Sequence, residues 1–147
     1  MKKIVRLYSR CTSAEKQFLK KAVWVFLQEL TKTYRGFSRW YAGLFVGNEL
    51  KSDREIIVCV CDEKIAGVAI TKNSTKEKKL CTLKVADGMR GTGLAYELVT
   101  LAVRTLEDDH PFCSVRIEKE DEFSRLFGFF GFAKEAENLQ ESFWNGV

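Results

Sequence analysis

The chain lacks the patterns that build metal sites, disulfide frameworks and membrane spans. Its 147 residues hold one histidine, His110, and five cysteines, at 11, 59, 61, 81 and 113, with no C-x-x-C pair among them. An odd count without paired spacing argues against a disulfide framework and against zinc. It points instead to buried free thiols in a reducing compartment. Cys59 and Cys61 lie two apart in an apolar run, so on a strand they share one face. His110 sits in Asp108-Asp109-His110-Pro111, a turn by composition, and reads as a solvated loop residue rather than a ligand. No apolar run approaches the roughly 20 residues that span a bilayer. Met1-Lys2-Lys3 resembles the basic start of a signal peptide, but Arg6, Arg10, Glu15 and Lys16 interrupt any apolar core after it. No membrane partner is implied, and a cytoplasmic location is expected. Internal repeats and low-complexity tracts are absent.

What is present suits a single domain spanning residues 1–147, large enough to bury a core without staples. Apolar residues make up 46% and charged residues 30%, a composition that excludes wholesale disorder. The net charge of +4 is spread over the N-terminal third, residues 72–79 and the strand ends. A basic face toward an acidic cofactor accounts for it at least as well as nucleic acid does.

Residues 2–8 alternate Ile4, Arg6 and Tyr8 against Lys3, Val5 and Leu7, as a first strand does. Thr12 and Glu15 have capping-box spacing, and Phe18, Leu19, Ala22, Val23, Phe26, Leu27 and Leu30 then follow a helical rhythm. Trp24 and Gln28 lie off that stripe and face either a substrate or a neighbouring element, with packing preferred. Tyr34-Arg35-Gly36 breaks the helix, and Ser38 can cap a shorter one that ends near Gly47-Asn48. Residues 55–61 and 65–71 are β-forming runs joined by Asp62-Glu63-Lys64, a hairpin, and residues 72–79 form a polar loop.

The centre of the chain is residues 79–95. Residues 80–85 read as a mostly buried strand, glycines follow at 88, 91 and 93, and Leu94, Ala95, Leu98, Val99, Leu101, Ala102 and Leu106 recur at helical spacing. The free N–H groups of a helix's first turn, its macrodipole and the adjacent Arg90 make such a turn a seat for a diphosphate or similar anion. Residues 112–117 then form a strand parallel to 80–85 across a strand, helix, strand crossover. A helix over 121–130 ends at Gly131, and closing strands follow at 132–133 and 140–145.

The run Arg90-Gly91-Thr92-Gly93-Leu94-Ala95 resembles the Arg/Gln-x-x-Gly-x-Gly/Ala signature of the GCN5-related N-acetyltransferases. Leu83-x-Val85 before it and Phe123 to Phe132, closing on Gly131-Phe132, extend the likeness over about residues 55–135. The resemblance implies a mixed, mostly antiparallel α/β sheet of six or seven strands, splayed between 80–85 and 112–117, with helices on both faces. It also implies that Arg90, Gly91, Thr92, Gly93, Leu94 and Ala95 hold the pyrophosphate of acetyl-coenzyme A, and that the backbone of Leu83 and Val85 pairs with its pantetheine arm. No metal is implied. The reaction that the resemblance implies is direct attack by an amine on the thioester, with a small amine, a protein amine or the amine of a charged transfer RNA as the acceptor. Nucleic acid enters as a partner only in that last case, and a homodimer is left open.

Two positions depart from the family. Glu120 stands where many members have Asn, and Phe127 where many have a Tyr that protonates the leaving thiolate; phenylalanine has no proton to give. Glu118 and Glu120, after the later strand, are the candidate bases, with Glu77 a third. An acyl-cysteine route through Cys81 or Cys113 is the weaker alternative. Two other classes compete: an acyl-coenzyme A sensor of the same fold without turnover, and a basic nucleic-acid-binding module whose affinity would fall steeply with salt.

Overall fold

The computed structural model describes residues 3–107, 111–116, 120–130, 132–137 and 141–146. The first strand, β1 (Lys3–Leu7), passes through a 3-10 turn at Tyr8–Arg10 into α1 (Ser13–Leu27), a further 3-10 turn (Gln28–Lys32) and α2 (Phe37–Ala42). A two-residue ribbon, β2 (Phe45–Val46) and β3 (Glu49–Leu50), leads to the long strands β4 (Arg54–Cys61), β5 (Lys64–Asn73) and β6 (Lys78–Val85). The chain ends with α3 (Leu94–Leu106), β7 (Phe112–Arg116), α4 (Glu120–Phe129), β8 (Phe132–Glu137) and β9 (Glu141–Gly146). The main sheet runs in the order β1-β4-β5-β6-β7-β9-β8, parallel at β6–β7 and antiparallel elsewhere. It is the mixed, mostly antiparallel sheet expected.

The near-continuous apolar run of β4 follows from burial on both faces. Ile56 and Val58 point into a cluster with Leu19, Val23, Leu27, Phe37 and Tyr41 of α1 and α2. Ile57 and Cys59 point the other way, into a cluster with Leu94, Leu98, Val99 and Ala102 of α3 and Leu126 and Phe127 of α4. All five thiols are free, three of them buried.

Several boundaries differ from the sequence reading. The first strand stops at Leu7, because Tyr8 turns inward, fully buried, with its hydroxyl donating to the Asn48 carbonyl at 2.6 Å. As an edge strand, β1 buries neither face well, and Ile4 and Val5 stay exposed. The Thr12–Glu15 capping box forms in both directions, at 3.2 and 2.9 Å. Beyond it α1 ends at Leu27, three residues short of Leu30, and Phe18 is 71% exposed rather than part of the buried stripe. The residue that caps α2 is Gly36, at φ +77, and not Ser38; the helix ends at Ala42, and Gly47-Asn48 turns the β2–β3 ribbon. The polar loop shrinks to residues 74–77, since β5 and β6 pair out to Asn73–Lys78. The closing strands run to 132–137 and 141–146. The expectations for His110, Ile117 and Gly131 fall outside the described residues.

Candidate functional site

The parallel ladder between β6 and β7 is short. Lys79 pairs with Phe112 and Leu80 with Cys113, and there it stops, although β6 continues to Val85 and β7 to Arg116. Each strand keeps its outer partner: β7 stays on β9 as far as Arg116, and β6 stays on β5 as far as Val85. The parting coincides with a bulge, since Leu80 and Thr82 oppose the consecutive residues Thr71 and Ile70, leaving Cys81 as the extra residue. A bulge bends and over-twists the strand that carries it, which turns β6 away from β7.

Strand alternation then decides which backbone groups face the gap. The N–H of Ala86 donates to Ala66 on the β5 side at 2.8 Å, so Thr82 and Lys84 share that direction. Leu83 and Val85 therefore direct their N–H and C=O groups into the gap. A segment with amide groups of its own can pair there as a strand would.

At the end of β6 the chain makes a 3-10 turn (Asp87–Met89) and enters α3 through Gly91 at φ +79 and Gly93 at φ +85, left-handed conformations that glycine adopts without penalty. The first helical bond of α3 is Glu97 N–H to the Gly93 carbonyl, 3.1 Å, and no side chain caps the helix. Its first-turn N–H groups therefore have no acceptor within the helix. A Cβ at Gly91 or Gly93 would meet nothing within 4 Å, so the space above the turn is open. Arg90 lies exposed beside it, its Nε 3.4 Å from Asp87 Oδ1. Thr92, itself exposed, donates from its hydroxyl back to the Met89 carbonyl at 2.6 Å. A cavity of about 220 Å³ lined by Lys3, Met89, Thr92 and Leu94 adjoins the turn. First-turn N–H donors, a helix dipole, a cation and open space are together the features that suit an anion.

Of the candidate bases, Glu118 lies outside the described residues and Glu120 begins α4. Glu77 is held by Lys72 at 3.7 Å and precedes β6 at its closed end, roughly 25 Å of strand from Val85 at the usual rise per residue. Cys81 and Cys113 lie where the gap opens, Cys113 in the last pair with Leu80 and Cys81 as the bulge. Burial pushes the Cys113 thiol up to about 12. Burial raises Cys81 too, opposed by Lys79 and by Arg54, whose Nη1 lies 3.5 Å from the sulfur. Neither is a ready nucleophile. The ring of Phe127 is 2% exposed and packs between Phe123 and Phe132, each at 5.7 Å between centroids.

Trp24 packs against Phe37 and Tyr41, at 6.3 and 5.5 Å, rather than lining an open wall, while Gln28 is exposed. Lys84 was not singled out by the sequence. Its Nζ donates to the Phe26 carbonyl at 2.6 Å and meets Glu29 at 2.5 Å, tying the end of α1 to the strand that borders the gap. A contact between residues so distant in the chain leaves no mark in local spacing. Among the described residues, no group of three His, Cys, Asp or Glu could hold a metal, and no helix is long and apolar enough to cross a membrane.

The family model described as acetyltransferase (GNAT) domain matches residues 31–145. Curated protein sequences return no match. Among solved structures, the chain is similar to the PaiA N-acetyltransferase of Thermoplasma acidophilum in complex with coenzyme A, with TM-score 0.68, 13% identity and 99% of both chains covered. It is similar to the ribosomal-protein alanine N-acetyltransferase of Escherichia coli, with TM-score 0.66, 14% identity, and 97% of this chain and 92% of that one covered. It is also similar to the N-acetyltransferase PseH of Campylobacter jejuni in complex with acetyl coenzyme A, with TM-score 0.57, 16% identity and coverages of 98% and 97%. At these identities the likeness is one of fold.

Proposed function

The chain belongs to the acetyltransferase (GNAT) domain family of acyltransferases, and on that premise we propose that it transfers the acetyl group of acetyl-coenzyme A to an amine by direct attack. The observation that carries the proposal is the coincidence of two features on β6. Its ladder to β7 breaks off after Leu80, and the same strand runs into an uncapped helix start built on Gly91 and Gly93. A linear cofactor with an amide-bearing arm and a diphosphate fits both. In this reading the N–H groups from Gly91 to Ala95 hold the diphosphate, Arg90 adds charge, and Thr92 shapes the turn through Met89. The backbone of Leu83 and Val85 aligns the arm.

When bound, acetyl-coenzyme A supplies an activated thioester. The chain's own part is to orient that bond and to take a proton from the acceptor ammonium. Glu118 or Glu120, directly or through water, is our candidate for the proton. The leaving thiolate takes its proton from water or a group other than Phe127, whose ring has none and is locked in the core. The thiols of Cys81 and Cys113, raised by burial, favour direct attack over an acyl-cysteine. The acceptor is a small amine, a protein amine or a charged transfer RNA.

Coenzyme A release measured against panels of amines, peptides and aminoacyl-RNA tests this. With a productive acceptor, Glu118→Gln or Glu120→Gln should lower kcat by about 100-fold or more and remove the acidic limb of the rate profile, with acetyl-coenzyme A binding kept. Parental rates at every pH in both variants would exclude both carboxylates. Tight acetyl-coenzyme A binding with no release for any acceptor would favour a sensor of the same fold.

A further inference from the structure

Phe129, at the end of α4, keeps a large aromatic ring 71% exposed and so forgoes the burial that folding would otherwise gain from it. It is not a loose side chain. Its ring meets Tyr96 at 4.9 Å and 89°, and Phe130 at 5.1 Å and 81°, while Tyr96 and Phe130 lie 6.2 Å apart at 29°. Neither neighbour stacks face to face on Phe129, and most of its surface is in water. Tyr96 is the third residue of α3, within the first turn whose N–H groups face the anion site. The aromatic block and the diphosphate seat are therefore built on one helical turn.

We propose that Phe129, braced by Tyr96 and Phe130, is the platform on which the adenine ring of acetyl-coenzyme A stacks. The inference rests on the function proposed above. A base one sugar away from a diphosphate on the first turn of α3 lies beside that turn, where Phe129 offers a π-face. Stacking on such a face is tolerant of orientation and needs no hydrogen-bonding partner. The ring's exposure and its bracing are both accounted for: it is held in place and left open for a ligand.

Titration calorimetry of the parent, Phe129→Ala and Phe129→Tyr with two ligands tests this. The ligands are acetyl-coenzyme A and acetyl-4′-phosphopantetheine, which keeps the thioester, the arm and one phosphate but lacks the second phosphate and the nucleoside. Phe129→Ala should bind acetyl-coenzyme A roughly 5- to 100-fold more weakly, the range expected for losing one base–aromatic stack. It should bind the phosphopantetheine derivative as the parent does, and Phe129→Tyr should restore the difference. Equal losses on both ligands, or none on acetyl-coenzyme A, would overturn the platform. If the parent binds the phosphopantetheine derivative as tightly as acetyl-coenzyme A, neither the base nor the second phosphate has a site, and the platform fails together with the diphosphate seat. A parent that prefers acetyl-coenzyme A and a Phe129→Ala variant that keeps this preference would remove the platform alone. A parent that binds neither ligand would remove the proposed function itself. A parent dimer that Phe129→Ala dissociates, with acetyl-coenzyme A affinity unchanged, would assign the ring to self-association instead.

Discussion

Gly88 and Gly93 sit five residues apart in one turn and should answer differently to the same methyl group. At Gly93 the backbone is held at φ +85, so Gly93→Ala adds strain of about 1 kcal/mol or more to the fold. At Gly88 the φ is not left-handed and a Cβ meets nothing within 4 Å, so Gly88→Ala should leave stability within about 0.5 kcal/mol of the parent. Urea melts of the two variants check this; equal midpoints would show that the left-handed turn does not persist in solution. Gly93→Val is then a poor probe of ligand approach by itself, because strain at a β-branched residue adds to any clash. The buried thiols give a second prediction. Burial raises Cys59 from 9.0 to about 11 and Cys113 from 9.0 to about 12. Both stay protonated in the folded chain at a pH where the unfolded chain has ionised. Their contribution is thus complete below pH 9.0 and is lost as pH rises through about 11 and 12. Thermal midpoints should fall above that pH, and Cys113→Ala should flatten the fall; a parallel decline in that variant would assign it to other groups.

Among the elements, α1 is the one whose start is written into the chain and whose end is not. Thr12→Ala removes the hydroxyl half of the capping box, the bond from the Glu15 N–H, while the Thr12 backbone N–H that donates to the Glu15 carboxylate remains; it should cost about 1 kcal/mol, read from a chemical melt. Hydrogen bonds from Thr12 hold the Glu15 carboxyl below its ordinary 4.5, so this support is present above that pH and fades as the pH falls below it. The loss in Glu15→Ala should therefore shrink in acid, and a pH-independent loss in that variant would mean that the hydroxyl alone does the capping. At its other end α1 gives way to a 3-10 turn at Gln28, where Lys84 holds the Phe26 carbonyl and Glu29. The periodic apolar pattern runs on to Leu30, but a tertiary contact from β6 decides where the helix yields. The same logic governs Phe18, apolar and in phase, yet exposed because the sheet lies under Leu19, Val23 and Leu27.

For the whole molecule, a ligand that binds only the folded chain must stabilise it. Acetyl-coenzyme A at a hundred-fold excess over its Kd should add about 2.7 kcal/mol, several degrees in Tm. ATP and nicotinamide should add much less; no shift at millimolar acetyl-coenzyme A would remove the cofactor from the proposal. The sequence by itself determined the elements that local physics dictates. Capping-box spacing, the β-forming run of β4, and glycines between a strand and a helix act through near neighbours, so the α/β class and the glycine turn that opens α3 were readable, and the motif around Arg90 and Gly93 pointed to the family. Only the tertiary structure decided what depends on residues far apart in the chain. It set the bulge at Cys81 where β6 leaves β7, and buried Phe127 between Phe123 and Phe132. It put Glu77 at the closed end of the sheet and brought Phe129 against Tyr96 on α3. Strand order, the parting of two parallel strands and the meeting of two helices are settled by packing across the sheet, which no window along the chain records.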